Sequence, residues 1–342
     1  MPDPQRQPRT QGSPSPTIAA FIVVAMLAMV AIPAALTLHT VRSPGTLAVG
    51  ANPSPHGYTW SLLLFVVPIL VIGLWFLPSE GLEIPQRAFW RTISILVPLG
   101  CLLDFLCAQY FFSYPNAQAT LRIHAWALGK PVPIEEYFFY LTGFIAVLLL
   151  YVWLGEFWLA AYSVPDYPEE ARRLRRLLQF HPTSLIVGVV LVAAAWVFKK
   201  HFAPLDARDG FPGYFTFLVV GAFVPSMSFF PVAKRLINWR ALSLTAFFML
   251  LISLLWEVTL ALPYGWWGFQ HRQMMGLFVG AWSDLPFEEV CVWIAVTYAT
   301  CIVFEVVKLW QASGRGAKEA LFGARTTSVN AEPVRSANKL YK

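Results

Sequence analysis

Long apolar runs separated by short polar segments occupy most of the chain, and their lengths predict membrane-spanning helices. A helix needs about 20 mainly apolar residues to cross the hydrocarbon core of a bilayer. The fifth run is shorter, and we expect Lys199 and Lys200 to reach from its end to the membrane interface. The pattern predicts an all-α polytopic membrane protein with about eight spans, at 17–38, 58–77, 89–112, 137–161, 183–197, 213–232, 241–262 and 289–309.

The first run, 17–38, has a competing interpretation as a secretory signal peptide. A signal peptide has an apolar core of about 7–15 residues, followed by a cleavage site of small residues. This run is longer and no clean cleavage site follows it, so we interpret it as a retained helix. Residues 1–16 are rich in Pro, Gln, Ser and Arg, a composition typical of disordered segments.

The last three runs of the two halves coincide when the chain is shifted by 153 residues. The first run, shifted in the same way, overlaps the fifth only partly. This register predicts two tandem repeats of about four helices. Because four is an even number, the two repeats are expected to be parallel. The predicted organisation is a disordered segment at 1–16, a first transmembrane repeat at 17–162, a second at 163–310 and a disordered cytoplasmic tail at 311–342.

The composition also indicates a membrane protein. Hydrophobic residues make up 57% of the chain and charged residues only 13%, with a mean hydropathy of +0.57, whereas a soluble domain is about 25% charged. We therefore interpret the net charge of +6 as a topology signal and not as nucleic-acid binding. With the N-terminus inside, the inner segments hold 18 Lys and Arg and the outer segments 7, which predicts an N-in/C-in orientation. The expected location is the bacterial cytoplasmic (inner) membrane.

Carboxyl groups recur in the same register in both halves. Each half has a Pro-x-Glu-Glu sequence at the start of its last apolar run, and another acid lies 31 residues upstream, inside a run. A well-formed helix start explains proline and acids in a first turn. It does not explain an acid inside a span, where a carboxyl group is costly and is a functional candidate. The candidate catalytic residues are Asp104, Glu135, Glu136, Glu257, Glu288 and Glu289.

Several acids packed together in a low-dielectric region cannot all ionise, so at least one is expected to stay protonated and serve as a proton donor. Aromatic residues lie near these acids in the sequence. They are typical of an interfacial aromatic belt, but ring faces also stabilise a transient carbocation. Arg272 is a candidate partner of one of the acids. The candidate substrate-binding residues are Tyr110, Tyr114, Trp266, Trp267, Phe269 and Arg272.

Other kinds of site have no support in the sequence. The chain has no glycine-rich dinucleotide or phosphate loop and no Asp-rich diphosphate motif. Its four cysteines have no paired spacing, which argues against zinc sites and disulfides. We expect no metal, no cofactor and no nucleic-acid partner.

Two stretches carry a resemblance to a known family. They are Pro133-Ile-Glu-Glu-Tyr-Phe-Phe-Tyr140 and the stretch from Trp266-Trp-Gly-Phe-Gln-His-Arg-Gln-Met-Met-Gly276 to Leu285-Pro-Phe-Glu-Glu289. The chain resembles the membrane-integral lycopene cyclases, the small-subunit heterodimeric bacterial type and its fused archaeal and fungal relatives. The similarity covers the last three helices of each half, about two thirds of the chain. It departs from the family at Tyr110-Phe-Phe-Ser-Tyr-Pro115 and at Val290-Cys-Val-Trp293.

The resemblance implies an isomerase of carotenoid biosynthesis that cyclises lycopene, or a related linear carotenoid, to a β-ring product without net redox change. An acid protonates C2 of the end group, the 5,6 double bond attacks the cation at C1, and loss of the C6 proton completes the ring. Glu135 and Glu288 are the predicted acid–base residues, supported by Glu136, Glu289, Asp104 and Glu257. The implied substrate lies in the bilayer, no cofactor is demanded, and association with other carotenoid enzymes is expected.

Two alternatives remain open at this point. One is a related carotenoid reaction, either hydration of the end group or cyclisation of another carotenoid. The other belongs to a different class: a small proton-coupled transporter whose intramembrane acids bind a cation.

Overall fold

The computed structural model describes most of the chain after the first predicted span, namely residues 55–79, 84–127, 130–163, 171, 174–179 and 181–323. The predicted span at 17–38 lies outside these residues. The described part is mostly helical, and seven of its helices are long and apolar enough to cross a membrane. The helices are α1 (Gly57–Ser79), α2 (Gln86–Phe111), α3 (Ile134–Trp158), α4 (Pro182–Phe202), α5 (Gly213–Ala233), α6 (Trp239–Ala261) and α7 (Phe287–Ser313).

These seven helices coincide, within a few residues at each end, with the second to eighth apolar runs. The prediction of a polytopic helical protein is therefore confirmed for the described residues. It succeeds because a run of about 20 apolar residues has to satisfy its own backbone hydrogen bonds inside a bilayer, and a helix does so.

Helices α3 and α7 form the centre of the bundle. Of their most apolar stretches, 61% and 50% of the residues are buried inside the protein. Helix α3 packs against α1, α2, α6 and α7, and helix α7 packs against α2, α3, α5 and α6. By contrast, α4 packs on α5 at the periphery and exposes Ile186, Val189 and Val190, as expected of a surface in contact with lipid. Residues on α3 and α7 are thus the best placed to meet side chains from both halves.

Both central helices begin directly after a proline. Pro133 and Pro286 have extended backbone conformations, and helix α3 or α7 starts at the next residue. Proline is well suited to a helix start because its missing N–H has no intrahelical partner there. The Glu-Glu pairs consequently occupy the first turn, where the helix dipole favours negative charge.

Two loops cover the end of the bundle at which α3 and α7 begin. Their short strands are not predicted by the sequence pattern. Strand β1 at the end of α2 pairs antiparallel with β4 at the end of α6, so that Phe112 lies opposite Phe269 and Ser113 opposite Gly268. The two loops are thereby joined into a single cover. The strands are β1 (Phe112–Ser113), β2 (His124–Ala127), β3 (Lys130–Pro133), β4 (Gly268–Phe269), β5 (Phe278–Val279) and β6 (Leu285–Pro286), with β2 paired to β3 and β5 to β6.

Two details of the prediction are wrong. Lys199 does not extend to the interface: its side chain is buried, and Nζ donates to the carbonyl oxygens of His271, at 3.3 Å, and Met274. It therefore anchors the loop between α6 and α7. Residues 311–323 are not a disordered tail, because α7 extends to Ser313 and a further helix, α8 (Ala317–Phe322), packs back with Ala320 buried. The rest of the tail lies outside the described residues.

Candidate functional site

A cavity lies just beneath the two loops, where the two halves of the bundle meet. Its volume is about 80 Å³. A single buried water needs about 10–15 Å³ on this measure, so the cavity has room for about six waters or for the end of a hydrocarbon chain. Carboxyl groups from both halves line it: Glu136, Glu257 and Glu289. The remaining wall is mainly aromatic and includes Tyr58, Phe112, Phe139, Tyr140, Tyr214, Trp256, Trp267 and Trp293.

In the first half, tyrosine hydroxyls donate to Glu136, which lines the cavity, and to Asp104, which does not. Tyr58 on α1 donates to Oε1 of Glu136 at 2.6 Å, and both residues are buried. Tyr140, one turn after Glu136 on α3, donates to Oδ1 of Asp104 on α2 at 3.4 Å. A phenol hydroxyl both donates and accepts, so each of these contacts is able to pass a proton.

In the second half, an indole takes the place of one of these phenols. Trp293 Nε1 donates to Oε1 of Glu257 at 2.9 Å. The Asp104–Tyr140 and Glu257–Trp293 contacts each join residues 36 apart in the sequence. Glu289 neighbours both the Glu257 carboxyl group and the Tyr214 hydroxyl. Because indole N–H only donates, Trp293 fixes Glu257 in place but cannot relay a proton.

Glu257 also begins a different kind of helical turn. Residues Glu257–Ala261 form a π-helical segment at the end of α6. Such segments are rare and are frequently found at functional sites. Three other π-helical segments occur among the described residues, at Val71–Phe76, Leu154–Trp158 and Val219–Phe223, so this feature alone does not assign a function to Glu257.

The first acid of each pair is directed towards the loops. Glu135 Oε1 accepts hydrogen bonds from the backbone N–H of Leu121 and the hydroxyl of Thr59, both at 2.6 Å. Glu288 Oε1 accepts the backbone N–H of Met275 in the corresponding loop of the second half. Neither residue lines the cavity. These contacts fasten the loops to the starts of α3 and α7.

Carboxyl oxygens without a hydrogen-bond partner are concentrated in this region. Buried polar atoms are almost always paired, and each exception calls for an explanation. Several unpaired acceptors close together lower the stability of the fold. Such a cluster is typical of a site that binds a ligand. Among the described residues, the unpaired oxygens are Asp104 Oδ2, Glu135 Oε2, Glu257 Oε2, Glu288 Oε2 and Glu289 Oε1.

Aromatic rings surround Tyr58 closely. Its ring centroid lies 5.0 Å from that of Trp267 and 6.0 Å from that of Trp256, and it stacks on Trp266 at 6.2 Å with an interplanar angle of 12°. Trp256 and Trp267 are themselves in edge contact at 4.7 Å. Ring faces at this density next to carboxyl groups are able to stabilise a positive charge in the cavity.

The candidate substrate-binding residues from the sequence separate into two groups. Trp267 lines the cavity, and Trp266 lies behind Tyr58. Phe269 packs on Phe112, which also lines the cavity. The Tyr114 hydroxyl is buried without a hydrogen-bond partner, and burial, followed by the nearby Glu136 carboxyl, raises the pKa of Tyr114 well above its usual value.

Tyr110 and Arg272 lie away from the site. Tyr110 is 51% exposed on the surface of α2. Arg272 is exposed, and within the described residues it forms no ion pair with any of the candidate acids. Neither residue contributes to the cavity wall.

Several residues of the site were not identified from the sequence. Tyr58, Tyr214 and Trp256 look like members of an aromatic belt until the helices are packed. Tyr140 and Trp293 were detectable, because the 153-residue offset that relates the acids also relates these two positions. Gly143 carries no functional group that a sequence pattern could single out.

A metal centre is not apparent in the part of the chain that the structure describes, because no three His, Cys, Asp or Glu side chains there are grouped as ligands. No family model, curated protein or solved structure matches this chain.

Proposed function

We propose that this protein is a carotenoid end-group cyclase that converts lycopene, or a related linear carotenoid, to a β-ring product by acid catalysis. The observation that carries the proposal is the meeting of Glu136, Glu257 and Glu289 in one aromatic-lined cavity between membrane-spanning helices. A cyclisation through a carbocation needs a proton donor, groups that stabilise positive charge, and a base. The cavity offers candidates for all three.

The size and position of the cavity suit a substrate that is dissolved in the bilayer. With room for about six waters, it takes one end of a long hydrocarbon and leaves the remainder outside. In the N-in/C-in orientation predicted from the charges, the cavity lies near the non-cytoplasmic face. The substrate would then reach it from within the membrane, end first.

The reaction balances without a cofactor. A carboxylic acid gives its proton to C2 of the end group, and positive charge develops at C1. The electron pair of the 5,6 double bond forms the C1–C6 bond and moves the charge to C5. Loss of the C6 proton to a carboxylate restores a 5,6 double bond. The product is an isomer of the substrate, and the proton returns to the protein.

We assign the acid to Glu136, because it lines the cavity and its hydrogen bond to Tyr58 connects it to a second proton-bearing group. Glu257 and Glu289 stabilise the cation and accept the C6 proton. The sequence predicted Glu135 and Glu288 for the acid–base roles, and that assignment remains a prediction. Since their contacts reach the loop backbone, we propose that they position the loops.

We also propose that the two halves are parallel repeats of one unit. Helix α1 packs on α3 as α5 packs on α7, and α2 and α6 each contact both central helices. The matched 36-residue spacing of the Asp104–Tyr140 and Glu257–Trp293 contacts supports the same conclusion. On this interpretation, duplication produced one composite cavity, and the halves then diverged in chemistry.

The test is expression in bacterial cells that accumulate lycopene, followed by chromatography and mass spectrometry of the pigments. A cyclic product has the mass of lycopene, and a hydrated product is heavier by one water. Unchanged lycopene in cells whose membranes contain the protein would refute cyclisation of lycopene, and the same test with other linear carotenoids decides the rest of the proposal. In that case, a pH-dependent ion flux in proteoliposomes would favour the transporter alternative.

A further inference from the structure

We infer that Gly143 forms the inner end of a channel for the hydrocarbon chain of the substrate, and that its missing side chain sets how wide a chain can pass. The inference rests on the proposed function, because it names the path by which a linear isoprenoid reaches the acids. It concerns a residue that takes no part in the chemistry.

The cavity follows one face of each central helix into the membrane. On α3 it is lined by Glu136, Phe139, Tyr140 and Gly143, whose spacing of three, four and seven residues places them on the same helix face. Glu289, Val292, Trp293 and Val296 form the same series on α7. Seven residues of helix span about 10 Å. The cavity therefore extends about that far from the carboxyl groups along both helices.

Gly143 is buried, yet it faces empty space. A β-carbon added there would have no atom within 4 Å. Gly100 on α2 shows the opposite behaviour, because a β-carbon there would lie 2.9 Å from Phe144. Helix packing thus requires the small size of Gly100 but not that of Gly143.

The cost of glycine strengthens this interpretation. Glycine within a helix is less favourable than alanine, and no close neighbour at Gly143 compensates for it. The absence of a side chain at Gly143 leaves open space in the cavity. At the corresponding position in the second half, the chain has Val296, so the two walls of the channel differ in size.

The chemistry of the inner end specifies the class of ligand. Gly143, Phe144 and Val296 at the inner end are apolar, whereas Glu136 and Glu289 begin their series at the outer end and Glu257 is hydrogen-bonded to Trp293, one turn along. An uncharged, slender hydrocarbon fits this division, with its reactive end at the acids and its chain beside Gly143. A polar or ionic ligand would find partners at one end only.

The experiment is a size series at Gly143, with Gly143→Ala, Gly143→Leu and Gly143→Phe in the full-length protein. Gly221 on α5 is the matched control. It is a lipid-exposed glycine in a spanning helix, where an added β-carbon has its nearest neighbour, Phe217 of the same helix, at 3.9 Å. Cyclisation of lycopene in proteoliposomes is measured separately from binding. Binding is the part of the tryptophan quenching that saturates with added lycopene, because Trp267 and Trp293 line the cavity whereas Trp60, Trp75 and Trp196 are exposed.

We expect Gly143→Ala to raise the melting temperature, because alanine favours the helix, and to lower cyclisation less than the larger side chains do. We expect Gly143→Leu and Gly143→Phe to lose quenching and to lower cyclisation at least tenfold, with unchanged melting, while Gly221→Leu behaves like the wild type. Normal quenching by Gly143→Phe, or no quenching by the wild type, would overturn the channel. If the wild type is quenched but makes no ring, and Gly143→Leu abolishes quenching, the channel stands and the cyclase proposal fails.

Discussion

Replacing the two adjacent glutamates of α3 one at a time separates a chemical role from a structural one. In Glu136→Gln, the amide oxygen still accepts the Tyr58 hydroxyl that now lies 2.6 Å from Glu136 Oε1, so the fold is preserved. The transferable proton is lost. A positioned general acid contributes about 10²–10⁴ in rate, which is about 3–5 kcal/mol of barrier. Cyclisation by Glu136→Gln should fall by that factor.

Glu135→Gln should show the opposite pattern. Its amide oxygen still accepts from Leu121 N and Thr59 Oγ1, but without the charge that strengthens both hydrogen bonds. Charge-assisted hydrogen bonds are worth about 1.5–3 kcal/mol and neutral ones about 1 kcal/mol. For the two hydrogen bonds together, a loss of about 1–4 kcal/mol of stability follows, with a lower melting temperature and near-normal turnover at low temperature.

The assay uses both purified variants in proteoliposomes with equal amounts of lycopene. Initial rates of ring formation are followed by chromatography, and melting is followed by tryptophan fluorescence. The assignment of Glu136 would be refuted by a Glu136→Gln protein that turns over at more than a tenth of the wild-type rate. An inactive Glu135→Gln protein with normal melting would return the acid role to Glu135.

Three further substitutions test individual contacts of the site. Tyr58→Phe keeps the stacked ring but removes the hydroxyl that donates to Glu136. We expect cyclisation to fall about tenfold or more, the value of a hydrogen bond to the carboxylate that forms as Glu136 gives up its proton; an unchanged initial rate would remove Tyr58 from the mechanism. Glu257→Gln retains an acceptor for Trp293 Nε1 but loses a charge facing the cation, so turnover should fall at least tenfold without loss of carotenoid binding, measured by fluorescence quenching. Lys199→Met leaves the carbonyl oxygens of His271 and Met274 without their donor, at a cost of about 1–3 kcal/mol; we expect a lower melting temperature, and melting equal to that of the wild type would contradict the anchoring role.

The sequence is informative where a feature repeats or is long. Runs of about 20 apolar residues locate the described helices, because the bilayer leaves a chain of that composition few alternatives. The 153-residue offset is enough by itself to group the six acids. Three of them, Glu136, Glu257 and Glu289, lie on the wall of one cavity.

The sequence does not decide which acid of each pair faces the cavity. Consecutive residues on a helix point about 100° apart, so Glu135 and Glu136 cannot both face it. Which of them does depends on how α3 is rotated against α1 and the loop. The sequence also does not reveal the hydrogen-bond partners of Lys199, because the two carbonyl groups that accept from its Nζ lie more than 70 residues away. Strands of two residues, such as β1 and β4, show no alternation that a sequence pattern could reveal.

Under the proposed cyclase function, the pairing of β1 with β4 has a consequence for which product would form. The ribbon joins both loops above the cavity, and Gln270 strengthens it by donating to the carbonyl oxygens of Gln109 at 2.7 Å and Phe112 at 3.1 Å. A carbocation in the cavity has two fates: internal attack gives a ring, and capture by water gives an alcohol. Two loops that can only move together admit water less often than two independent ones. The fidelity of ring formation over hydration would then reside in a few hydrogen bonds that involve none of the acids.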